Sequence, residues 1–276
     1  MGRGTLYVVA TPIGNLRDIT LRALDTLRSV DAVVCEDTRR TRRLLAHHGI
    51  TARLESHFAG NEERRIPAIL AALAEGEDRA LVSDAGTPAI SDPGYLLVRA
   101  CRDRGIPVVP VPGPSAMAAA LSVSGLPSTA VRFLGFPPRK AGERRHLLAS
   151  LVGDPATLIF YESPRRVRAF LAEAAAALPG RERFVAREIT KLFESTYRDP
   201  DPGALPEKGE FVLVFGPPAR PAAMAPAEPA ALAARVEALS REGLPEKEAL
   251  RRAAREAGLS RRAVYDAVKG KGARRG

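Results

Sequence analysis

Short apolar runs rich in β-forming residues alternate with helix-like segments over the first 217 residues, and this alternation limits the fold more than any other feature. The strand-like runs are 6–10, 32–35, 79–83 and 108–111, and helical patterns lie at 21–27, 66–75 and 96–104. A second series has helical patterns at 115–124, 144–151 and 167–178 and strand-like runs at 157–161, 184–186 and 211–215. Such alternation with short connections is typical of open α/β sheets. We predict an α/β fold with two successive α/β domains, residues 1–113 and 114–217.

The C-terminal region has a different organisation. The stretch Gly216-Pro-Pro-Ala-Arg-Pro221, with further prolines at 226 and 229, predicts a proline-rich linker over residues 218–230. Helical patterns follow at 232–239, 245–257 and 261–268. Gly258-Leu-Ser260 separates the last two, and Ser260 is the predicted N-cap of the third. We therefore predict a small helix-turn-helix-like domain over residues 231–276.

The charge of the chain points to a polyanionic partner. It has 42 basic and 32 acidic residues, a net charge of +10. From Arg220 to Gly276 there are 13 basic and 7 acidic side chains, a net of +6, so more than half of the excess lies in this helical tail. Because 36 of the basic residues are arginine, a GC-rich genome is an alternative source of the charge. Its concentration in one region favours a nucleic-acid contact over that alternative.

The sequence carries no membrane or export pattern. Its longest apolar runs fall short of the ~20 residues that a membrane span needs, and its start lacks the regions of a secretory signal peptide. We expect a cytoplasmic protein without a bound metal. Cys35 and Cys101 lie in apolar segments, so we predict two small buried hydrophobic residues rather than disulfide partners or nucleophiles.

Three loops follow predicted strands at the edge of the sheet where α/β proteins bind ligands. Thr11–Leu16 lacks the G-x-G-x-x-G fingerprint, and the chain has no P-loop motif, so a tight turn is an equal interpretation of this loop. Ser83–Gly94 carries two aspartates, two glycines and two prolines, which indicates backbone held close to a ligand. We expect Asp92 to cap the helix that follows Pro93. Ser115 opens an alanine-rich helix whose amides can receive a carboxylate or an adenine edge.

Ten short motifs lie in a fixed order along the chain. They are Thr11-Pro-Ile-Gly-Asn-Leu16, Glu36-Asp-Thr-Arg39, Ser83-Asp-Ala-Gly-Thr-Pro88, Ser91-Asp-Pro-Gly94, Pro112-Gly-Pro-Ser115, Ser124-Gly-Leu-Pro127, Gly135-Phe-Pro137, Phe160-Tyr-Glu-Ser-Pro164, Arg187-Glu-Ile-Thr-Lys191 and Lys208-Gly-Glu210. Over roughly residues 5–270, this series resembles the bacterial ribosomal RNA small subunit methyltransferase I family. That family methylates a cytidine ribose 2′-hydroxyl in the decoding centre of 16S rRNA. The resemblance implies a tetrapyrrole methylase-like fold of the class III methyltransferases.

The resemblance also implies that S-adenosylmethionine binds in a cleft between the two α/β domains. The residues implied to contact it are Thr11, Pro12, Ile13, Gly14, Asp84, Ala85, Gly86, Thr87, Pro114, Ser115, Ala116, Tyr161 and Glu162. A ribose hydroxyl is a weak nucleophile, so a general base or a stabilising cation would assist methyl transfer. The candidates are Glu36, Asp37, Glu162, Glu188, Lys191 and Glu194. As alternatives, Glu36 and Asp37 could cap a helix, and Arg187, Glu188 and Lys191 could form a solvated ion-pair set.

The implied substrate is 16S rRNA in the small ribosomal subunit, and the implied assembly is a homodimer. The side chains available for RNA phosphates are Arg39, Arg40, Arg42, Arg43, Arg251, Arg252, Arg255, Arg261, Arg262 and Lys269. A solvated helix face is the alternative interpretation of these charges.

Two other functions are compatible with parts of the sequence. A tetrapyrrole or other small-molecule methyltransferase could share this fold, since fold does not determine substrate. The basic tail argues against it, because a small-molecule enzyme does not need such a region. A DNA-binding regulator would use the tail but would leave the two α/β domains without a role.

Overall fold

The structure is a computed structural model that describes residues 2–219, 229–257, 259 and 261–268. The chain divides into two compact units, Met1–Pro218 and Ala219–Gly276. In the described ranges, no helix combines the length and apolar character that crossing a membrane requires. The boundary that we predict between residues 113 and 114 stays a prediction, although each side of it contributes its own sheet.

The first sheet has five parallel strands in the order β3-β2-β4-β1-β5. The strands are β1 Leu6–Val9, β2 Ala32–Cys35, β3 Leu54–Ser56, β4 Arg79–Val82 and β5 Val108–Val111. The helices among them are α1 Leu21–Ser29, α2 Thr38–His47, α3 Glu62–Ala74 and α4 Tyr95–Asp103. Every residue of β2 and β4 is buried, as expected when helices cover both faces of a parallel sheet.

Side chains that alternate along each strand supply two separate cores. Val33 packs with Leu27 and Leu45 on one face of the sheet. Its neighbour Val34 belongs to the cluster on the other face, together with Leu73. Because both faces are filled by apolar contacts, polar groups are left to the strand ends. Cys35 and Cys101 are buried free thiols, as predicted.

The second sheet is mixed and has the order β6-β7-β10-β8-β9. Its strands are β6 Val131–Gly135, β7 Thr157–Glu162, β8 Arg181–Arg187, β9 Ser195–Arg198 and β10 Phe211–Pro218, and its helices are α5 Ala116–Ser124, α6 Ala141–Ser150 and α7 Val167–Ala177. Strands β6 and β7 are parallel, whereas β10 is antiparallel to both β7 and β8. Aromatic packing of Phe160 against Phe170 and Phe215 fills the centre of this half.

The predicted linker at 218–230 overlaps the end of a strand at Pro218 and the start of a helix at Pro229. Gly216–Pro218 belong to β10, because the buried guanidinium of Arg181 donates to the Gly216 carbonyl at 2.7 Å and Pro218 pairs with Arg181 after a register shift. The register shift lets two prolines without N–H groups end a strand. At the other end, Pro229 is the first residue of a helix, a position that proline favours. Residues 220–228 of the predicted linker lie outside the described residues.

The second unit contains α8 Pro229–Arg241, α9 Glu246–Ala257 and α10 Arg261–Val268. Their shared core includes Leu239, Leu250 and Val264. These three helices confirm the helical patterns predicted for the tail. Gly258 and Ser260 of the predicted break, and Lys269, lie outside the described residues.

Candidate functional site

A cavity of about 520 Å³ lies within the first unit, between the carboxyl ends of the parallel strands and the second sheet. The first half of the chain contributes Ile13, Glu36, Arg40, Asp84, Ala85, Gly86, Thr87, Ile90, Ser91 and Asp92. The second half contributes Ser115, Ala116, Phe136, Tyr161, Glu162, Ser163, Pro164, Ile189, Lys191, Glu210, Phe211 and Val212. Cavities of this volume hold small organic ligands. The strand ends of an open α/β sheet are the expected place for such a site.

The loop after β4 is held against the end of β1. The Thr11 amide donates to the Gly86 carbonyl at 2.8 Å, and the Gly86 amide donates to the Thr11 carbonyl at 3.0 Å. The Thr11 hydroxyl also donates to the Ser83 carbonyl at 3.1 Å. Gly86 has a φ of 81°, and a Cβ there would lie 3.3 Å from Ile13. Thr11 therefore supports the cavity wall from behind, whereas Ile13 and Gly86 line the cavity.

Gly14 permits a close contact between the first loop and the second half of the chain. A Cβ at this position would lie 2.3 Å from Cγ of Lys191. Next to it, the Asn15 amide donates to the Thr190 hydroxyl at 3.2 Å. Pro12 and Gly14 lie outside the cavity lining, on either side of the lining residue Ile13. Pro114 has a similar position, because its carbonyl accepts a hydrogen bond from the Thr87 hydroxyl at 3.3 Å.

Asp92 is not the helix cap that we expect from the sequence. Helix α4 begins at Tyr95 with Gly94 as its N-cap, so Asp92 lies two positions too early to cap it. Instead, Asp92 lines the cavity, and its carboxyl is hydrogen bonded to Ser83. Ala89 and Ser91 have φ angles of 65° and 64°, a region that side chains disfavour. Such backbone strain is often found where a loop is shaped around a ligand.

Three carboxyl groups line the same part of the cavity: Glu36, Asp84 and Asp92. Burial raises the pKa of Glu36, and the charges of Asp84 and Asp92 raise it further. Burial likewise raises the pKa of Asp92, with a further contribution from Asp84. Asp84 is held by the Asp37 amide at 3.1 Å and by Arg40 at 3.4 Å. This wall has an excess of negative charge and suits a cationic ligand.

Asp37 caps α2, which is the alternative that we considered for it. Its carboxyl accepts from the Arg39 amide at 2.8 Å and pairs with the Arg39 guanidinium at 2.9 Å. These Arg39 contacts lower the pKa of Asp37 to about 2. Asp37 lies outside the cavity lining, whereas Glu36 and Arg40 lie within it. Arg42 and Arg43 are exposed on the same helix.

The second sheet provides an aromatic and hydroxyl-bearing wall. The Tyr161 hydroxyl accepts from the Met117 amide at 3.1 Å and is hydrogen bonded to Ser115. Burial raises the pKa of Tyr161. Its ring contacts those of Phe133 and Phe136 edge to face. The tyrosine therefore links the start of α5 to the end of β6.

The side chain of Glu162 is only 1% exposed. Its Oε1 accepts from the Ser163 amide at 2.7 Å and from Nε of Arg166 at 2.9 Å. Glu162 thus orients the wall at Ser163 and Pro164, and its carboxyl is shielded from any large substrate. The catalytic role proposed for it from the sequence therefore has less geometric support than that of Glu36.

Lys191 lines the cavity as part of an ion-pair set. Its Nζ lies 3.0 Å from Glu188 and 2.9 Å from Glu210. Burial alone would lower the pKa of Lys191, but the two carboxylates outweigh it and raise that pKa. For Glu188, burial is likewise outweighed by the Glu210 amide and Lys191, so its pKa is lowered. Glu188 and Lys191 thus form an ion pair, but the pair is mostly buried at the cavity and is not the solvated set that we considered as an alternative.

Arg187 and Glu194, the other two candidates close to Lys191 in the sequence, do not take part in these ion pairs. Arg187 donates to the carbonyls of Lys208 and Phe193 rather than joining the ion pairs. Glu194 accepts from the Thr190 amide, outside the cavity lining. Among the residues that the structure describes, no group of three His, Cys, Asp or Glu side chains could hold a metal ion.

The comparison with known proteins agrees with this geometry. The family described as Tetrapyrrole (Corrin/Porphyrin) Methylases matches residues 5–201. A protein named ribosomal RNA small subunit methyltransferase I from Xylella fastidiosa (strain Temecula1) is 47% identical over 272 residues, which are 95% of this chain and 98% of that protein. Its namesake from Escherichia coli O157:H7 is 45% identical over 273 residues, which are 95% and 94% of the two chains.

The chain belongs to the tetrapyrrole methylase family, among the ribosomal RNA small subunit methyltransferases I. This assignment confirms the resemblance seen in the ten motifs. A solved member of the tetrapyrrole methylases, uroporphyrin-III-C-methyltransferase from Thermus thermophilus, superposes with a TM-score of 0.54 at 25% identity, covering 78% of this chain and 94% of that one. Cobalt precorrin-4 methyltransferase, at 18% identity and a TM-score of 0.57, shares the fold over 77% of this chain and 94% of its own. The predicted fold class is confirmed.

Exchanging Glu36 for glutamine tests the charge of the carboxylate wall. Because its pKa is raised in the folded protein, Glu36 favours folding below its ordinary pKa of 4.5, and this contribution is lost as pH rises through the folded pKa. We expect Glu36→Gln to increase the free energy of unfolding at pH 7 by less than about 1 kcal/mol, since the group is partly solvated. Urea denaturation at pH 7 and at pH below 4.5 measures the difference.

The increase in the free energy of unfolding should vanish at the lower pH, because the wild-type Glu36 side chain is then uncharged, like glutamine. Glu75→Gln is the control, because Glu75 is exposed at the end of α3. A Glu36→Gln protein that is less stable than wild type at pH 7 would contradict a raised pKa of Glu36 caused by burial and by the neighbouring carboxylates.

Proposed function

We propose that the cavity binds S-adenosylmethionine and that the protein transfers its methyl group to ribosomal RNA of the small subunit. The finer proposal is a cytidine ribose 2′-hydroxyl in the decoding centre of 16S rRNA, as the family resemblance implies. The supporting observation is the wall of three carboxyl groups at the strand ends, facing Tyr161 and Lys191 across one cavity. The names of the two relatives, both ribosomal RNA small subunit methyltransferase I, support the class of substrate.

The cavity has groups suited to each part of S-adenosylmethionine. The carboxyl groups of Glu36, Asp84 and Asp92 suit the positive sulfonium and α-amino groups. Ser115 is the N-cap residue of α5, and its side chain is hydrogen bonded to Tyr161. In the part of the chain that the structure describes, this side chain accepts no hydrogen bond from the first amides of the helix. The Met117 amide already donates to Tyr161, so a carboxylate or an adenine edge would bind the other first amides of this helix.

The proposed contact residues divide into two groups. Lining residues that would hold the cofactor are Ile13, Asp84, Ala85, Gly86, Thr87, Ser115, Ala116, Tyr161 and Glu162. Thr11, Pro12, Gly14 and Pro114 would act behind them, by fixing the loops that carry the lining residues.

When bound, the cofactor would supply a methyl group activated by its positive sulfur. The chain would need to hold the ribose 2′-oxygen in line with that group, which is chiefly a matter of positioning. Glu36 is the proposed acceptor of the 2′-hydroxyl proton, because its raised pKa makes it a stronger base than an ordinary carboxylate. Lys191, kept charged by Glu188 and Glu210, would stabilise the developing negative oxygen. Asp37 and Glu188 act in this proposal by orienting α2 and Lys191.

RNA would approach along basic side chains beside the cavity and on the tail. Arg40 lines the cavity, and Arg39, Arg42 and Arg43 continue the exposed face of α2. In the second unit, Arg251, Arg252, Arg261 and Arg262 are exposed. The Arg255 side chain and Lys269 lie outside the described residues. Phosphate contacts position RNA without reading its sequence, which suits this scattered arrangement.

A small-molecule methyltransferase is the second candidate function. It is favoured by the match to solved uroporphyrin-III-C-methyltransferase at 25% identity. That structure matches 78% of this chain, whereas the relatives named for ribosomal RNA match 95% of it. The chain therefore fits the RNA-methylating relatives more completely. We also propose, from the resemblance alone, a cytoplasmic homodimer, which light scattering at micromolar concentration tests by its mass.

Methylation of purified subunits tests the proposed function. We expect labelled methyl groups from S-adenosylmethionine to appear on one cytidine 2′-oxygen of 16S rRNA when small subunits are the substrate. Mapping by primer extension and mass spectrometry of the nucleosides identifies the atom. Asp84→Asn with Ser115→Ala should abolish cofactor binding in calorimetry, since both residues line the cavity. Label on a base, or on a tetrapyrrole offered in competition, would contradict the proposal.

Ending the chain after Pro218 tests the role of the second unit, because the first unit ends there. We expect the KM for small subunits to rise roughly tenfold or more at physiological salt and its salt dependence to flatten, since fewer counterions are released. Calorimetry should give an unchanged affinity for S-adenosylmethionine.

The full chain with Arg251→Gln, Arg252→Gln, Arg261→Gln and Arg262→Gln is the matched variant. It should shift KM in the same direction while leaving the unit present. A truncated protein with wild-type KM and salt slope would contradict RNA binding by the tail.

A further inference from the structure

Phe136 is an aromatic residue that lines the cavity and is nevertheless 57% exposed. The rings of Phe136 and Tyr161 meet edge to face, with their centroids 5.7 Å apart. More than half of the surface of Phe136 remains open to solvent at the cavity rim. A large exposed aromatic ring beside a ligand cavity offers a flat apolar surface for a second planar group.

The backbone around Phe136 is held rigidly. Gly135 has a φ of 61°, and a Cβ there would lie 3.0 Å from the Ser91 hydroxyl, so the strand turns sharply before the ring. The Pro137 carbonyl accepts from Arg166 at 3.2 Å. Arg166 is itself paired with the buried Glu162 carboxylate at 2.8 Å.

A second arginine fixes the following residues. Arg144 donates to the carbonyls of Pro138 and Arg139 at 3.2 and 3.1 Å. Its guanidinium forms two hydrogen bonds with Glu173, at 2.6 and 2.7 Å. With two adjacent prolines and two anchored arginines, the loop needs little ordering when a partner binds.

The loop that follows the ring carries two positively charged residues, Arg139 and Lys140. Arg139 is exposed and forms no ion pair with any residue in the described ranges. Lys140 is exposed and has one carboxylate neighbour, Glu143, at 3.0 Å. Arg40 and Lys191 line the same cavity, where Arg40 is paired with Asp84 and Lys191 with Glu188 and Glu210. An aromatic face among cations is the combination that binds a nucleobase together with its flanking phosphates.

We propose that Phe136 is the stacking platform for the base of the target nucleotide, once that base is turned out of the RNA so that its ribose enters the cavity. This inference rests on the proposed function. RNA-binding proteins commonly stack unpaired bases on aromatic side chains. Enzymes that act on a buried nucleotide must first extrude it, and stacking then offsets part of the lost pairing.

Substitutions of Phe136 separate stacking from simple apolar contact. Phe136→Leu should raise the KM for small subunits roughly tenfold or more, the effect expected from losing one base–aromatic stack. Phe136→Tyr and Phe136→Trp should keep KM within about twofold, because both retain an aromatic face. Calorimetry should show wild-type affinity for S-adenosylmethionine in all three proteins. Phe58→Leu is the matched control, since Phe58 is 43% exposed but lies outside the cavity lining in the described structure.

A fluorescence measurement reports stacking directly. The chain has no tryptophan, so Phe136→Trp introduces a single indole. Its emission should be quenched when a short single-stranded RNA containing cytidine is added, and an equal concentration of inorganic phosphate should have no effect. Absence of quenching together with wild-type KM in Phe136→Leu would overturn the proposal.

The other outcomes are also decisive. A parallel loss of cofactor affinity in Phe136→Leu would assign the ring to the cofactor, and a change in mass by light scattering would assign it to a contact between two copies. Either result overturns the proposed stacking. If the wild-type protein methylates small subunits while Phe136→Leu behaves identically, only the stacking fails. If the wild type does not methylate them, the proposed function fails first.

Discussion

Three carboxyl groups meet at the carboxyl end of the first sheet, and the rest of the site depends on this constraint. Glu36, Asp84 and Asp92 meet because β2 and β4 are adjacent and parallel, so the loops after them leave the sheet at the same edge. Arg40 and the Asp37 amide hold Asp84, and a hydrogen bond with Ser83 holds Asp92. Arg40 balances one of the three charges, and the negative charge that remains favours a positively charged ligand.

The second sheet completes the site through a few close contacts with the first loops. Because Gly14 has no side chain, Lys191 can pack against the loop that follows β1. The Asn15 amide donates to the Thr190 hydroxyl in the same place. Thr190 has a φ of 66°, an unusual value for a β-branched residue, so the turn is strained to make this contact. As a result, Lys191 and Tyr161 line the same cavity as the carboxylate wall. Lys191 is paired with Glu188 and Glu210, and Arg40 is paired with Asp84 of the wall.

The sequence predicted the parts of this architecture that rest on local pattern. The first strand and its Thr11 loop stand out because a buried parallel strand is a short apolar run that ends in turn residues. The three-residue strand β3 was missed, since its centre is Glu55, a buried carboxylate that lies 3.7 Å from Arg79. Edge strand β6 was missed because its first residues are exposed, so Phe136 could not be placed at a strand end. The prediction that Asp92 caps α4 was wrong, because the N-cap is Gly94, with a φ of 126°, two residues further along the chain.

The central claim is that the carboxylate wall selects a cationic cofactor, and calorimetry with two ligands tests it most directly. S-adenosylhomocysteine differs from S-adenosylmethionine by the loss of one methyl group and of the positive charge that this group places on sulfur. In the protein with Glu36→Gln and Asp92→Asn, we predict that S-adenosylmethionine loses about fivefold more affinity than S-adenosylhomocysteine, as expected for roughly 1 kcal/mol between nearby charges in a hydrated site. The same relative loss should appear in the wild-type protein as pH falls and these groups become protonated. Equal losses for both ligands would contradict the account.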